Sequence, residues 1–299
     1  VDGRASESPA TEAVRQRYAV PGSIRLRVGV HDVLAFVAGH ETSVRSVASA
    51  PDALPQSDRG GRAPLRRLET PLGPVLVRRY RKGGLLRHLR GRRFLGAWRP
   101  LEELVLLCRL GALRLPVIEG VGAVVHLHGR SWSGWLLTRE VGGSVDLDAW
   151  LRGRGPAGAP PAPRVARRAG RAVRELHDAG VRHADLHPKN LLLTPQGQVL
   201  VLDLDKARCF DRPLSDAPRA ANLLRLARAV DKLALQGTPT SARLALRFLE
   251  GYAGTRAAAR SWFERLVARR LAGRSLRGAW WRLSGQTRSS RLGDLRGAP

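Results

Sequence analysis

The feature that most constrains the fold is a change of hydrophobic period along the chain. Through the first half, apolar residues alternate with polar ones in short runs. Ile24 to Val37 carries two such runs, and two more lie around Leu65–Leu68 and Val75–Tyr80, joined by a turn at Pro71-Leu72-Gly73-Pro74. Val121–Leu127 and Ser133–Arg139 add a further pair across the polar turn His128-Gly129-Arg130. A single helical segment interrupts them: Leu101, Leu104, Val105, Leu107 and Cys108 share a face within 99–113, and Pro116 closes it. Beyond about residue 140 the period becomes 3.6. A short helix is expected at Leu147–Leu151, then a Gly/Pro/Ala stretch at 153–163, then a helix over 164–179 with Val165, Ala169, Val173 and Leu176 on one stripe. After about residue 217 the pattern is helical throughout. One hairpin breaks this half, where Leu191–Leu193 and Val199–Leu202 flank Pro195-Gln196-Gly197. The pattern predicts a two-lobed α+β chain, a strand-rich lobe followed by a helical one. Residues 1–17 read as a disordered, polar opening and 40–64 as loop. The expected divisions are a strand-rich lobe over 18–139, a helical lobe over 140–254 and a basic, Trp-containing helical tail over 255–299.

Between the helix and the hairpin lies His183-Ala184-Asp185-Leu186-His187-Pro188-Lys189-Asn190, and Asp203 follows at the end of the second hairpin strand. Phosphoryl transfer needs a carboxylate for the acceptor hydroxyl, oxygen ligands for Mg²⁺ and cations for the phosphate oxygens. Asp185 suits the first task. Asn190 and Asp203 are hard oxygen ligands suited to Mg²⁺. Lys189 stands beside the base, where an ammonium could meet the transferring group. Upstream, Arg78 ends a strand where a phosphate-binding cation is needed, with Lys82 in reserve on the next turn. Glu103 on the following helix is its expected partner, and Gly60-Gly61 is a candidate phosphate-covering loop. The competing readings are a hydrolytic metal site built on His-x-Asp-x-His, a surface loop without chemistry, and solvated surface charges for the arginines. His183 and His187 are expected to be structural, and Asp205 to pair with Lys206 or Arg208 rather than ligate a metal.

The motif set as a whole resembles the protein-kinase-like superfamily, and within it the lipopolysaccharide kinase family. The resemblance runs from about residue 58 to about 254. It is carried by Arg78-Arg79-Tyr80-Arg81-Lys82-Gly83-Gly84, by Glu103-Leu104 through Leu115-Pro116-Val117, by Asp185–Asn190 and by Asp203-Leu204-Asp205-Lys206. Departures are Lys82 in place of an Arg, Val117-Ile118 in place of a second Pro, Leu204-Asp205 after the metal Asp, and the 153–163 insertion. The resemblance implies ATP and Mg²⁺ as cofactors. It also implies an acceptor hydroxyl on the 3-deoxy-D-manno-octulosonic acid (Kdo) sugar of a lipid A precursor. Within the same chemistry an inner-core heptose or an aminoglycoside-like molecule is the alternative acceptor. Outside it, the alternative is a non-catalytic basic kinase-fold protein binding nucleic acid.

Charge bears on the partner. With 52 Lys and Arg against 25 Asp and Glu, the chain carries +27, a field that calls for an anionic partner. Only Lys82, Lys189, Lys206 and Lys232 are lysines, so nearly all of this charge is Arg. No zinc-finger, RNA-recognition or basic-zipper pattern is present, so an anionic membrane surface is expected and nucleic acid is not. Eleven arginines over 255–296, interleaved with Trp262, Phe263, Leu266, Val267, Leu271, Trp280 and Trp281, read either as a membrane-contacting tail or as a helix pair of the second lobe. Cys108 and Cys209 make no disulfide framework, no apolar stretch reaches the roughly 18 residues of a membrane span, and the first residues lack a signal-peptide core. The expected location is therefore the cytoplasmic face of a bacterial inner membrane, held peripherally, with no obligate protein partner.

Overall fold

The computed structural model describes residues 8–57, 65–80, 94–156 and 158–271. Its first lobe is built on an antiparallel sheet. Strands β1 (Ile24–Val28), β2 (Asp32–Val37), β3 (Arg66–Leu68), β4 (Val75–Arg79), β5 (Phe94–Leu95), β6 (Gly120–His128) and β7 (Ser131–Arg139) pair in the order β1-β2-β6-β7-β4-β3, with β5 also on β7. Register puts Arg78 opposite Leu136 of β7. Helix α3 (Arg99–Ala112) lies on one face and buries Leu101, Leu104, Val105 and Leu107 of the expected stripe together with Leu110, while Cys108 is only partly buried.

Two segments depart from expectation. The opening is not disordered over Pro9–Arg17, which form helix α1; Ser8 caps it through Thr11 N, and Pro9 sits in its first turn. Tyr18, just beyond α1, stacks on Trp98 at a centroid distance of 5.3 Å and accepts a hydrogen bond from Trp98 N at 3.0 Å. The opening segment thus braces the start of α3. The second departure is helix α2 (Glu41–Ser49), within the stretch read as loop. It covers the other face of the sheet with Val44 and Val47, fully buried beside Phe36, Val121 and Val124.

The second lobe contains β8 (Val145–Asp146), α4 (Leu147–Leu151), α5 (Ala162–Asp178), β9 (Val181–Arg182), a 3-10 turn at Pro188–Asn190, the hairpin β10 (Leu191–Leu193) and β11 (Val199–Val201), β12 (Arg208–Cys209), α6 (Asp216–Leu235) and α7 (Ala242–Ala253). A further helix, α8, spans 256–271. Helices α5 and α7 meet backbone to backbone at Gly170 and Gly251. A Cβ on the first would collide with Phe248 O, and one on the second with Arg167 O. Helix α8 belongs to this lobe: Ala259 and Trp262 are buried in the core, and the Trp262 ring meets Tyr252 edge to face at 5.5 Å. The first part of the expected tail is therefore core, with Arg265 over the outer face of Trp262 at 4.2 Å.

The lobes are sewn together beside the chemistry-bearing hairpin. Val201 N donates to Pro116 O at 2.7 Å and Ile118 N to Val201 O at 3.3 Å, a short parallel bridge two residues before Asp203.

Candidate active site

Three sequence-predicted residues meet at the junction of the lobes. Arg78, at the end of β4, donates from Nη2 to Glu103 Oε2 at 2.5 Å and from Nη1 to Asp203 Oδ1 at 2.7 Å. Glu103 is almost fully enclosed, 3% exposed, on the sheet-facing side of α3. Its other oxygen accepts from Leu204 N at 3.1 Å, and Oε2 also accepts from the Tyr80 hydroxyl. Every partner of this carboxylate is a donor, the pattern of a buried anion compensated by its contacts. Burial pushes the Glu103 pKa up, and Arg78 pulls it back. For Arg78, burial works against the charge, but Glu103 and Asp203 outweigh it and the guanidinium is held charged. Asp203 sits at φ 56°, a left-handed conformation uncommon for Asp, at the turn that leaves β11.

The choice of Glu103 over Glu102 follows from the helix face, because Glu103 is buried with Leu104 and Leu107 while Glu102 is exposed. Asp205 does form a salt bridge, but with neither predicted partner. Arg99, at the start of α3, donates from Nε to Asp205 Oδ1 at 2.7 Å and closes over the Tyr80 ring at 5.1 Å. The partner is thus a residue of a helix start in the other lobe, not a neighbour in the same turn. Gly60, Gly61 and Lys82 lie outside the described residues.

The loop holding Asp185 is fixed from beneath by a buried polar chain. His183 Nε2 bonds Leu202 O at 2.9 Å and His183 Nδ1 accepts from Asp185 N at 3.0 Å, which sets a neutral imidazole protonated at Nε2. Both ring nitrogens are thereby spent, so His183 is a structural residue and not the metal ligand of the hydrolase reading. Asn222 on α6 accepts from His183 N at 3.1 Å, donates to His183 O at 2.7 Å and meets His177 Nε2 at 3.1 Å. Tyr252 completes the chain at 2.8 Å from His177 Nδ1. Burial pushes His177 down to about 4 and lowers His183 as well.

Above this base, Asn190 Nδ2 donates to Asp185 O at 2.9 Å, which ties the two ends of the loop and leaves Asn190 Oδ1 as the acceptor. Asn190 O accepts from Leu202 N at 2.9 Å, so the turn is locked to the strand leading to Asp203. The Asp185 carboxylate, 44% exposed, faces outward. Arg225 on α6 donates to its Oδ1 from Nε at 2.8 Å and from Nη2 at 2.5 Å, and His187 Nε2 lies 3.7 Å from Oδ2. Burial works to raise the Asp185 pKa, but the Arg225 hydrogen bond and the neighbouring charges carry it below the usual carboxylate range. Lys189 is exposed on the 3-10 turn. Among the described residues no three His, Cys, Asp or Glu side chains cluster, so a metal here would draw on Asn190 and Asp203. That set fits Mg²⁺, which takes one or two protein oxygens and completes its shell with water and phosphate.

Arg225, Asn222, His177 and Arg99 were not legible as site residues. The available signal was a polar Asn222 inside the apolar row Ala220, Leu223 and Leu226 of α6. A lone Asn in such a row implies a buried partner.

Residues 57–252 match the Lipopolysaccharide kinase (Kdo/WaaP) family. The chain belongs to that family. Its matched span nearly coincides with the 58–254 stretch of the sequence resemblance, and it contains Arg78, Glu103, the Asp185–Asn190 loop and Asp203. Lipopolysaccharide kinases are phosphotransferases that act on a hydroxyl group, with a protein-kinase-like α+β fold. The chain is similar to the 3-deoxy-D-manno-octulosonic acid kinase of Vibrio cholerae serotype O1, 32% identical over 160 residues that cover 52% of this chain and 65% of the relative. The enzyme of that name from Photobacterium profundum is 32% identical over 163 residues, 53% of this chain and 66% of the relative. The one from Xylella fastidiosa is 28% identical over 178 residues, 58% and 68%. The matches thus span about two thirds of the length of these relatives.

Proposed function

We propose that this lipopolysaccharide kinase transfers the γ-phosphate of ATP to a hydroxyl of the Kdo sugar on a lipid A precursor. One observation carries the reading. Arg78 joins Glu103 to Asp203 across the lobe junction, while Asn190 ties Asp185 into the loop that ends beside the same hairpin. These contacts support the reading because phosphoryl transfer draws on a cation, oxygen ligands and a carboxylate of this kind. The similarity to three Kdo kinases supports a Kdo-type acceptor.

In this reading Arg78 holds nucleotide phosphate oxygens, positioned by Glu103. Asn190 Oδ1 and Asp203 are the oxygen ligands for Mg²⁺, which when bound neutralises charge on the phosphates. Asp185 is a carboxylate with a lowered pKa. Such a group orients the acceptor hydroxyl as a hydrogen-bond acceptor and receives its proton late, as suits a loose transition state. Lys189 offers its ammonium to the transferring group from the same turn.

Membrane association is part of the same proposal. The basic surface and the residues beyond 271 hold the protein on anionic lipid at the inner face of the cytoplasmic membrane, where a lipid-anchored sugar is presented. No helix of the described residues is long and apolar enough to cross a membrane. Because Trp262 is core, the informative truncation ends at Leu271. The intact chain is expected to bind phosphatidylglycerol vesicles and the truncated one not to; equal binding removes the tail from the account.

The activity is tested by transfer of labelled phosphate from ATP to Kdo-bearing lipid A precursor, with heptosylated core and free sugars as competitors. Labelling of the precursor ahead of the competitors is expected. Labelling of no glycolipid in the presence of Mg²⁺ refutes the reading.

A further inference from the structure

We infer that Arg225 is a specificity-determining residue, binding the carboxylate of the acceptor sugar through one edge of its guanidinium while the other edge holds Asp185. The inference rests on the Kdo reading above, since it takes the acceptor to be a sugar acid.

An arginine fork has two usable edges, one formed by Nε and an Nη and the other by the two Nη groups. In Arg225 the Nε–Nη2 edge is spent on Asp185, and both donors converge on the single oxygen Oδ1. The end edge is left with Nη1 wholly uncommitted to any described residue. On the carboxylate, Oδ2 has no partner nearer than His187 at 3.7 Å and is open to a hydroxyl. A sugar that placed its hydroxyl on Asp185 Oδ2 would therefore have a planar, bidentate anion receptor immediately beside it. Carboxylate recognition by a guanidinium edge is the strongest form such a contact takes.

The side chain is accessible for this: Arg225 is 46% exposed, and its helix packs against both the loop turn and β9. A pair exposed at both ends is weak in water, so Asp185 alone gives little reason to hold a guanidinium there. Arg225 also begins a basic row. Arg228 and Lys232 follow on the same exposed face of α6, three and seven residues on, and neither meets an acidic side chain among the described residues. The nearest acid of that helix segment, Asp231, is paired with Arg270 of α8 at 2.7 Å. The field beside Asp185 therefore favours an anion rather than a neutral sugar.

The test compares two acceptors, the Kdo-bearing lipid A precursor and the same molecule with the Kdo carboxylate converted to a primary amide. Wild-type protein is expected to favour the acid in kcat/KM by about 10- to 100-fold, the size of a hydrogen-bonded charge pair. Arg225→Gln should lower kcat/KM for both acceptors, because Asp185 loses its partner, but should lower it for the acid by a further factor of about 10- to 100-fold, so the preference collapses. The KM for ATP should not move. A merely structural Arg225 would instead lower both acceptors together and keep the preference, and that result overturns the inference. Melting temperatures of both proteins are measured alongside. Should Arg225→Gln fail to fold, Arg225→Lys replaces it; its single ammonium cannot serve both edges, and an unchanged acid preference in that variant likewise overturns the inference. If wild type phosphorylates both acceptors equally, the role of Arg225 falls and the kinase reading stands. If it phosphorylates neither, the kinase reading falls and the inference falls with it.

Discussion

The two charged clusters of the candidate site are built from the same residue types but in opposite surroundings. Around Arg78, the carboxylate of Glu103 is enclosed, shares Arg78 with Asp203 and receives the Tyr80 hydroxyl and Leu204 N as well. Around Arg225, both the guanidinium and the Asp185 carboxylate are nearly half exposed, and one carboxylate oxygen is open. A buried, fully partnered ion pair resists rearrangement because removing one member strands the other. An exposed pair costs little to re-form around a newcomer. In the proposed function the first cluster accordingly positions and the second meets the acceptor. A third set, His177, Asn222 and His183, is buried and neutral, and it supports the second cluster from below.

Breaking this division at its strongest point should have the largest effect. Asp203→Ala removes the carboxylate shared by Arg78 and the expected metal site, and should cut turnover by about a thousandfold or more, a loss of the order of 4 kcal/mol in the barrier. Circular dichroism should show an intact fold, because Asp203 is 42% exposed at its side chain. Glu103→Ala attacks the buried side and should behave differently. Stranding Arg78 and opening a void should cost about 3 kcal/mol of stability, measured by urea unfolding. If Glu103→Ala unfolds at the wild-type urea concentration, the first cluster is not the structural one.

The supporting set makes a prediction about acid. Burial pushes His177 down to about 4 from 6.5, so between these values the unfolded chain takes up a proton that the folded one refuses. Stability is then full above about pH 6.5 and falls as pH drops to about 4, by roughly 3 kcal/mol, levelling off below. His177→Gln should flatten that slope in a pH series of urea midpoints, and an unchanged slope would locate the acid sensitivity elsewhere. The smallest expected effect is Arg78→Lys. It keeps the charge but loses the planar fork that reaches Glu103 and Asp203 at once, and should lower kcat/KM for ATP by about tenfold. A drop confined to the acceptor would blur the distinction between the clusters.

Much of this organisation was readable where it is local. The strand of Arg78, the stripe of α3, and the loop and hairpin around Asp185 are short patterns whose residues lie close in sequence. Glu103 was selected by its place on the buried stripe alone. Helix α2 escaped because its apolar positions are few, and its stability comes from Val44 and Val47 pressed onto the sheet rather than from propensity. Helix α1 carried a Ser8-Pro9 start signal inside a polar segment that composition had marked as disorder. The pairings of Asp185 with Arg225 and Asp205 with Arg99 join residues 40 and 106 positions apart. Nothing in a single sequence makes one of many arginines the partner. Trp262 shows the converse: an aromatic among arginines suited a membrane surface, yet it fills the space against Tyr252.

The central claim, that the exposed carboxylate of Asp185 meets the acceptor while the buried cluster serves the nucleotide, is tested most directly with Asp185→Asn. Labelled phosphate transfer to Kdo-bearing lipid A precursor and nucleotide affinity are measured on the same preparation. The account predicts a loss of transfer of about 10²- to 10⁴-fold with nucleotide affinity unchanged within twofold. Transfer at the wild-type rate by Asp185→Asn would contradict it.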